Sequence, residues 1–434
     1  MFATVRLWGT DIGAVAMEPP ATAATFQYDR DFLRSGIEIA PLMMPLSDTI
    51  HTFPALPRNT FHGLPGLLAD ALPDHFGNAL IDAWLAQHGR DAASFGAIER
   101  LCYTGTRGMG ALEFVPARGP RAGTGGHLDI EALVQLASQV FSHRGGLEAN
   151  FAPGAREKAM RDILRVGTSA GGARAKAVIA WNRASNVVRS GRITSGDGFE
   201  YWLMKFDGVT ANQDKELADG MGYGAIEYAY SLMATAAGIT MAECHLLKEN
   251  NRRHFMTKRF DRLHDGGKLH MQSLGALAHH DLNQPGTTSY EQAFQTIKRL
   301  ALPMSDIEQQ FRRMVFNIVA RNQDDHVKNI AFLMDKTGRW SLSPAFDVNY
   351  SYNPAGDFTG VHQMSMNGKR DHFTLADFRD CGKIAGLKQG RAELIREEVC
   401  AAVRTWEEFA AQAQVPTPKI EKIRNALRLD FPRS

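Results

Sequence analysis

The chain has 434 residues, 44% of them apolar and 22% charged, which suits a globular protein with the cores of two or more domains. A formal net charge of +2 excludes a strong overall pull toward nucleic acid, leaving only local patches open. Four scattered cysteines without a CxxC or HExxH pattern predict a reducing compartment and no structural zinc. Met1–Arg6 lacks a signal-peptide pattern and no apolar run approaches membrane-spanning length, so a cytoplasmic protein is expected.

In chain order, residues 1 to about 115 hold short alternating runs, Thr4–Leu7 and Gly110–Phe114 among them, around a helical stretch near Asn78–Gln87. The glycine- and charge-rich run Arg118–Gly126 reads as a linker or long loop. From 150 to about 262 strand-like and helical patterns alternate, and beyond about 285 the pattern is mostly helical. The expected regions are 1–115, 116–262 and 263–434, with no internal repeat.

Val166–Lys176 is a small-residue loop leading into an expected strand, Ala177–Trp181. Its glycines permit positive φ and close approach of backbone amides to a phosphate. It has neither Walker spacing nor GxGxxG, and in isolation it reads as an ordinary glycine-rich turn. Ser169 and Lys176 are its candidate phosphate-facing hydroxyl and charged partner. In the strand Tyr201–Phe206, Trp202, Met204 and Phe206 share one face while Tyr201, Leu203 and Lys205 share the other. A strand this apolar is expected to be buried on both sides, where a lysine is unusual. Kinases place their phosphate-pairing lysine in such a strand; the alternative is an edge-strand lysine reaching solvent.

The next helix carries the stripe Ala225, Tyr228, Ala229, Leu232, Met233, Ala236 and ends at Gly238. Glu227 lies off that stripe, either pairing with Lys205 as the corresponding kinase glutamate does or solvated in the first turn. His254–Asp261 reads as a strand ending in a polar turn, where a kinase would have its hinge. The stripe Phe311, Met314, Val315, Ile318, Val319 then seats Arg321–Asn329 at the end of a buried helix. Within that loop Asp324 and Asn329 stand five positions apart, the hairpin-like Ile330–Leu342 follows, and Asp347 closes Pro344–Asp347. Kinases use this layout: an aspartate near the accepting hydroxyl, then an asparagine and a later aspartate on Mg²⁺. His-Arg-Asp and Asp-Phe-Gly are both missing, and a polar turn is the plain alternative for the loop alone.

The order of these parts is more specific than any one of them, and here the chain resembles the HipA family of serine/threonine protein kinases, toxins of HipBA-type toxin–antitoxin pairs. The resemblance rests on Gly63–Gly66 with Ala69-Asp70 and Leu72–Asp74, Gly108–Glu113, Ser169–Lys176, Arg259–Asp261, Asn322–Asn329 and Ser343–Asp347. It implies an α+β, protein-kinase-like two-lobed fold with a β-rich N-terminal subdomain and a mostly helical C-terminal lobe. It implies Asp324 as catalytic aspartate, Asn329 and Asp347 as Mg²⁺ ligands and Lys205 as the phosphate-binding lysine. ATP contacts are implied at Ser169, Ala170, Gly171, Gly172, Lys176, Lys205, Lys258, Arg259, Phe260, Asp261, His326 and Lys328, with Lys258–Phe260 at the adenine and Asp261 near the ribose.

Ser169 matches the serine this family autophosphorylates, which ejects the loop and switches the kinase off. The implied substrate is an aminoacyl-tRNA synthetase, and the implied partner a small helix-turn-helix antitoxin that carries the DNA contact. Two departures stand out: Lys258 where an acidic residue is expected, and Asp325 where glycine is frequent. Two other classes stay open. One is a metal-dependent phosphohydrolase built on Asp324, Asp325, His326 and Asp347; the other is a catalytically weak antitoxin-binding or co-repressor protein.

Overall fold

A computed structural model describes residues 1–18, 20–120, 128–142, 155–168, 174–190, 198–209, 213–214, 217–218 and 221–433. Alternating apolar residues near the N-terminus produce a five-stranded antiparallel sheet. Its order is His51–Thr52, Thr25–Tyr28, Thr10–Ala16, Phe2–Leu7, Leu112–Val115. The first two strands in sequence are joined by Trp8 and Gly9, both at positive φ, as a tight hairpin loop requires.

A second antiparallel sheet of five strands follows, in the order Cys244–Glu249, Arg252–Lys258, Glu200–Lys205, Lys176–Asn182, Val187–Ser190. Glu200–Lys205 is its central strand. Trp202 and Met204 are fully buried, whereas Tyr201, Leu203 and Lys205 are only half-buried. The strand is therefore not enclosed on both faces as its sequence predicts, because its second face lines a groove. The C-terminal region is helical around Met304–Val319, whose buried face includes Phe311, Met314, Val315 and Ile318. The expected hairpin is present as Ala331–Met334 and Trp340–Leu342, and His270–Ser273 joins it as a third strand that the sequence did not announce. Among the described residues no helix is long and apolar enough to cross a membrane.

The cores do not follow chain order. Phe76, Leu80, Ile81 and Leu85, from the helix His75–Gln87, pack with Ile179, Trp202 and Met204 of the second sheet. The helix Tyr223–Ala236 instead sends Ala225, Ile226, Ala229 and Met233 into the C-terminal core. Met334 of the hairpin belongs to the N-terminal core. Each boundary in sequence is thus bridged by apolar side chains in space.

Polar pins complete these junctions. Asp70 accepts from the Ser273 N–H at 2.7 Å and from its hydroxyl at 2.9 Å. The Gly66 N–H donates to His279 Nε2 at 3.0 Å, and a side chain at Gly66 would collide with the Ala276 carbonyl. The strongest pin is Asp261. Its fully buried carboxylate takes the Gly110 N–H at 2.6 Å, Arg259 at 2.6 and 2.9 Å, and Arg262 at 2.7 Å. Arg259 and Arg262 also donate to the Gly108 carbonyl. Both Asp261 oxygens are engaged inside the protein, tying the end of the strand Arg252–Lys258 to the Gly108–Gly110 turn.

Burial works against the Asp261 charge, but the two guanidiniums beside it hold its pKa far below the ordinary carboxylate value. A depressed folded pKa stabilises the protein above the unfolded carboxylate pKa, and that stability is lost as pH falls through the folded value. Asp261→Asn leaves two buried guanidiniums without an anion and should cost about 3–5 kcal/mol at neutral pH. Urea denaturation should show this deficit unchanged between pH 8 and pH 6, shrinking only in strong acid.

Candidate active site

The groove between the second sheet and the helical region gathers charges from separate elements. Lys205, the last residue of its strand, points its ammonium at Glu227 Oε1 and Asp347 Oδ1, each at 2.6 Å. Glu227 is 1% exposed on a helix anchored in the other core, so it is a buried partner of Lys205 and not a solvated first-turn residue. Its second oxygen faces Arg174 at 3.5 Å, and that guanidinium stacks on the Tyr223 ring at 4.0 Å. Burial opposes the Lys205 charge, but Asp347 and Glu227 hold its pKa above the ordinary value. Asp347 is correspondingly held well below the usual carboxylate range: burial opposes its charge, and Lys205 more than compensates.

Sheet register places Lys176 directly across from Lys205, so two lysines share the groove face. Lys176 is buried and pairs with Asp74 Oδ2 at 3.2 Å, while Asp74 Oδ1 caps the helix His75–Gln87 through the Gly77 N–H. It is thus the start of a strand, held by the N-terminal region, where the sequence suggested a group at a loop. Ser169, Ala170, Gly171 and Gly172 lie outside the described residues.

The loop 322–329 brings the remaining groups. Asn329 Nδ2 donates to the Asp324 carbonyl at 2.9 Å, closing the five-residue turn. The Asp324 carboxylate is partly exposed, with His326 Nε2 3.8 Å away. Lys328 is exposed, its ammonium 4.0 Å from Asp70. Asp325 is different. Its side chain is 1% exposed and accepts from Tyr290 Oη at 2.5 Å and the Gln363 N–H at 2.7 Å, with His362 Nδ1 at 3.0 Å. The adjacent carboxylates therefore face opposite environments, and Asp324 is the one available for chemistry. A hydrolase cluster that counts Asp325 as a ligand loses it, and no metal-binding group of three or more His, Cys, Asp or Glu occurs among the described residues.

Asp347 sits at φ 54°, a left-handed conformation that aspartate tolerates better than most side chains. Pairing of Ala345 with Thr240 and Ala242 fixes the chain just before it. Phe346 packs on Phe260 with centroids 5.4 Å apart, joining this motif to the hinge strand. Asn329 and Asp347 line one small cavity, and their oxygens form a hard donor pair suited to Mg²⁺ shared with phosphates.

Beyond them a pocket of ≈ 220 Å³ is walled by Tyr201, Met241, Lys258, Arg259, Phe260 and Pro344. At its rim the Lys258 ammonium pairs with Glu200 and, at 3.2 Å, with Glu243. The acidic character missing at position 258 is thus supplied by Glu200 at the start of a neighbouring strand and by Glu243 just before another. Tyr290 and His362 had no motif to mark their part in the site; Asp74 and Arg174 lie in the matching words Leu72–Asp74 and Ser169–Lys176, which gave them no role there.

Residues 3–115 match the HipA N-terminal domain and residues 168–406 the HipA-like C-terminal domain. Y4mE of Sinorhizobium fredii, a protein named for an inferred kinase activity, is 27% identical over 125 residues, which is 27% of this chain and 30% of that protein. HipA in the Shewanella oneidensis MR-1 toxin–antitoxin complex of HipA, HipB and operator DNA superimposes with a TM-score of 0.68. That alignment covers 98% of this chain and 95% of the other at 15% identity, and it establishes the shared two-lobed α+β fold. The proinflammatory kinase CtkA of Helicobacter pylori aligns over 54% of this chain and 89% of its own at a TM-score of 0.34 and 13% identity, too distant to weigh.

Lys205→Met keeps the stem but removes the cation shared by Glu227 and Asp347, with Arg174 left on the far oxygen of Glu227. Breaking a buried ion cluster in this way should lower stability by about 3 kcal/mol or more at neutral pH while leaving the fold intact. Denaturant titration beside a circular-dichroism spectrum checks both halves of that expectation.

Proposed function

The chain belongs to the HipA family, and we propose that it is an ATP- and Mg²⁺-dependent serine/threonine protein kinase, the toxin of a toxin–antitoxin pair. The observation that carries this reading is the meeting of Lys205, Glu227 and Asp347 in the groove that also holds Asp324 and Asn329. Phosphoryl transfer asks for positioning and charge stabilisation more than for covalent chemistry, and these residues supply both.

In this reading the purine lies against Lys258–Phe260 in the pocket beside Pro344, and Lys205 meets the phosphates. Asn329 and Asp347 hold Mg²⁺, which when bound neutralises charge across the phosphates. Asp324 orients the accepting hydroxyl and takes its proton. His326 and Lys328 complete the phosphate side, with Lys176 behind Lys205 as a second, Asp74-held positive charge. The protein substrate is an aminoacyl-tRNA synthetase and the setting cytoplasmic. A helix-turn-helix antitoxin of the HipB kind binds the chain and carries the DNA contact, as HipB accompanies HipA and operator DNA in the Shewanella complex. Ser169 matches the serine this family autophosphorylates, and phosphate there would add nearly two negative charges, so autophosphorylation of Ser169 is the off-switch of this reading.

Asp324→Ala should abolish transfer of phosphate to protein while nucleotide binding survives. Asp347→Ala should weaken Mg²⁺–nucleotide binding as well, which calorimetric titration would separate. After incubation with Mg²⁺ and ATP, mass spectrometry should find phosphate on Ser169 of the wild type and none in Asp324→Ala. Release of free phosphate with no phosphoprotein would point to a hydrolase instead.

A further inference from the structure

Asp325 has no part in the chemistry just described, yet it is among the most heavily bonded side chains in the groove. Its three partners come from two places. Tyr290 opens the helix Tyr290–Arg299, and its hydroxyl also accepts from Asn317 Nδ2 at 3.0 Å on the central helix. His362 and Gln363 lie in the irregular stretch between Asp347 and the helix Leu375–Ala385. Asn317 Oδ1 in turn accepts from Asn322 Nδ2 at 2.9 Å, returning to the start of the same loop. His362 and Gln363 are themselves fastened: Arg370 Nε donates to the His362 carbonyl at 2.6 Å, and the Gly286 N–H donates to the Gln363 carbonyl at 2.7 Å.

We propose that Asp325, with Tyr290 and His362, is a positioning node that couples the stretch after Asp347 to the aim of Asp324. The proposal rests on the kinase reading for its catalytic consequence. Two ties fix the Asp324 backbone. Asn329 holds the Asp324 carbonyl, and Asp325, one peptide bond away, is locked from below through three hydrogen bonds. A buried carboxylate with every tie satisfied is rigid, whereas loss of one partner leaves the others unpaired in a dry site. In kinases the stretch after the metal-binding aspartate also carries regulatory and substrate contacts. A displacement there would reach Asp324 through the Asp325 carboxylate without touching Lys205 or the nucleotide pocket.

The test uses the full chain. In Tyr290→Phe and Asp325→Asn, kcat for protein phosphorylation should fall by about tenfold to a hundredfold, the scale set by small misplacement of a reacting group. KM for ATP should stay within about twofold in the same variants, since the nucleotide contacts lie elsewhere. The Tyr290→Phe/Asp325→Asn double variant should lose little more than the worse single one, because both act through one contact. Hydrogen–deuterium exchange should quicken over residues 322–329 and 360–365 in either variant, with the sheet carrying Lys205 unchanged.

Folded variants with wild-type kcat, a rise confined to KM, or losses that add in full would each overturn the node. The exchange measurement needs no catalysis. If the wild type transferred no phosphate, the kinase reading would fall, while unchanged exchange over 322–329 in the variants would sink the node by itself.

Discussion

One ammonium group holds the groove together. Lys205 ends a strand rooted in the second sheet, Glu227 rides a helix rooted in the C-terminal core, and Asp347 follows a turn pinned to Thr240–Ala242. Glu227 is the fully buried member and could not stay charged there alone, since an unpaired charge in such surroundings is expelled or neutralised. The ion cluster therefore sets the separation of the two lobes, and it is satisfied only when both cores are in register. Lys176 stands across from Lys205 in the sheet and is paired with Asp74, so with Arg174 on Glu227 the groove balances three cations against three carboxylates.

Much of this was legible in the chain, and for identifiable reasons. A lysine in an apolar strand, a glutamate beside a clean helical stripe and an Asp–x₄–Asn turn after a buried helix are local patterns, and local patterns survive in sequence. The hairpin was legible for the same reason. The third strand, His270–Ser273, was not, since its partner Ala331–Met334 lies some sixty residues on and only pairing distinguishes it from loop. The bonds of Asp261 were not legible because a motif gives a residue's neighbourhood but not the direction its side chain takes. The Gly108–Gly110 turn that captures it lies about 150 residues earlier. Asp324 and Asp325 were separable by spacing alone; what separates them physically is burial, which spacing does not encode.

The short words shared with the family divide into two kinds. Those at Asn322–Asn329 and Ser343–Asp347 meet in the groove. Those at Gly63–Gly66, Ala69-Asp70, Leu72–Asp74 and Gly108–Glu113 are mostly joints: Gly66 against Ala276, Asp70 on Ser273, Asp74 on Lys176, Gly110 on Asp261. Their side chains are small because backbones approach closely there, or acidic because a buried donor needs an acceptor. The N-terminal region is thus bound into the wall of the groove.

The strand Phe2–Leu7 lies between Thr10–Ala16 and Leu112–Val115, so it finds its second neighbour more than a hundred residues later in the chain. The N-terminal sheet lacks its fifth strand until Val115 is present, and that pairing closes a loop of about a hundred residues. The groove waits longer still, because Lys205 has no Asp347 until most of the chain has been made. A chain that stops short of Asp347 therefore lacks the carboxylate that completes the Lys205 ion cluster, so the groove is assembled only when both halves of the chain are present.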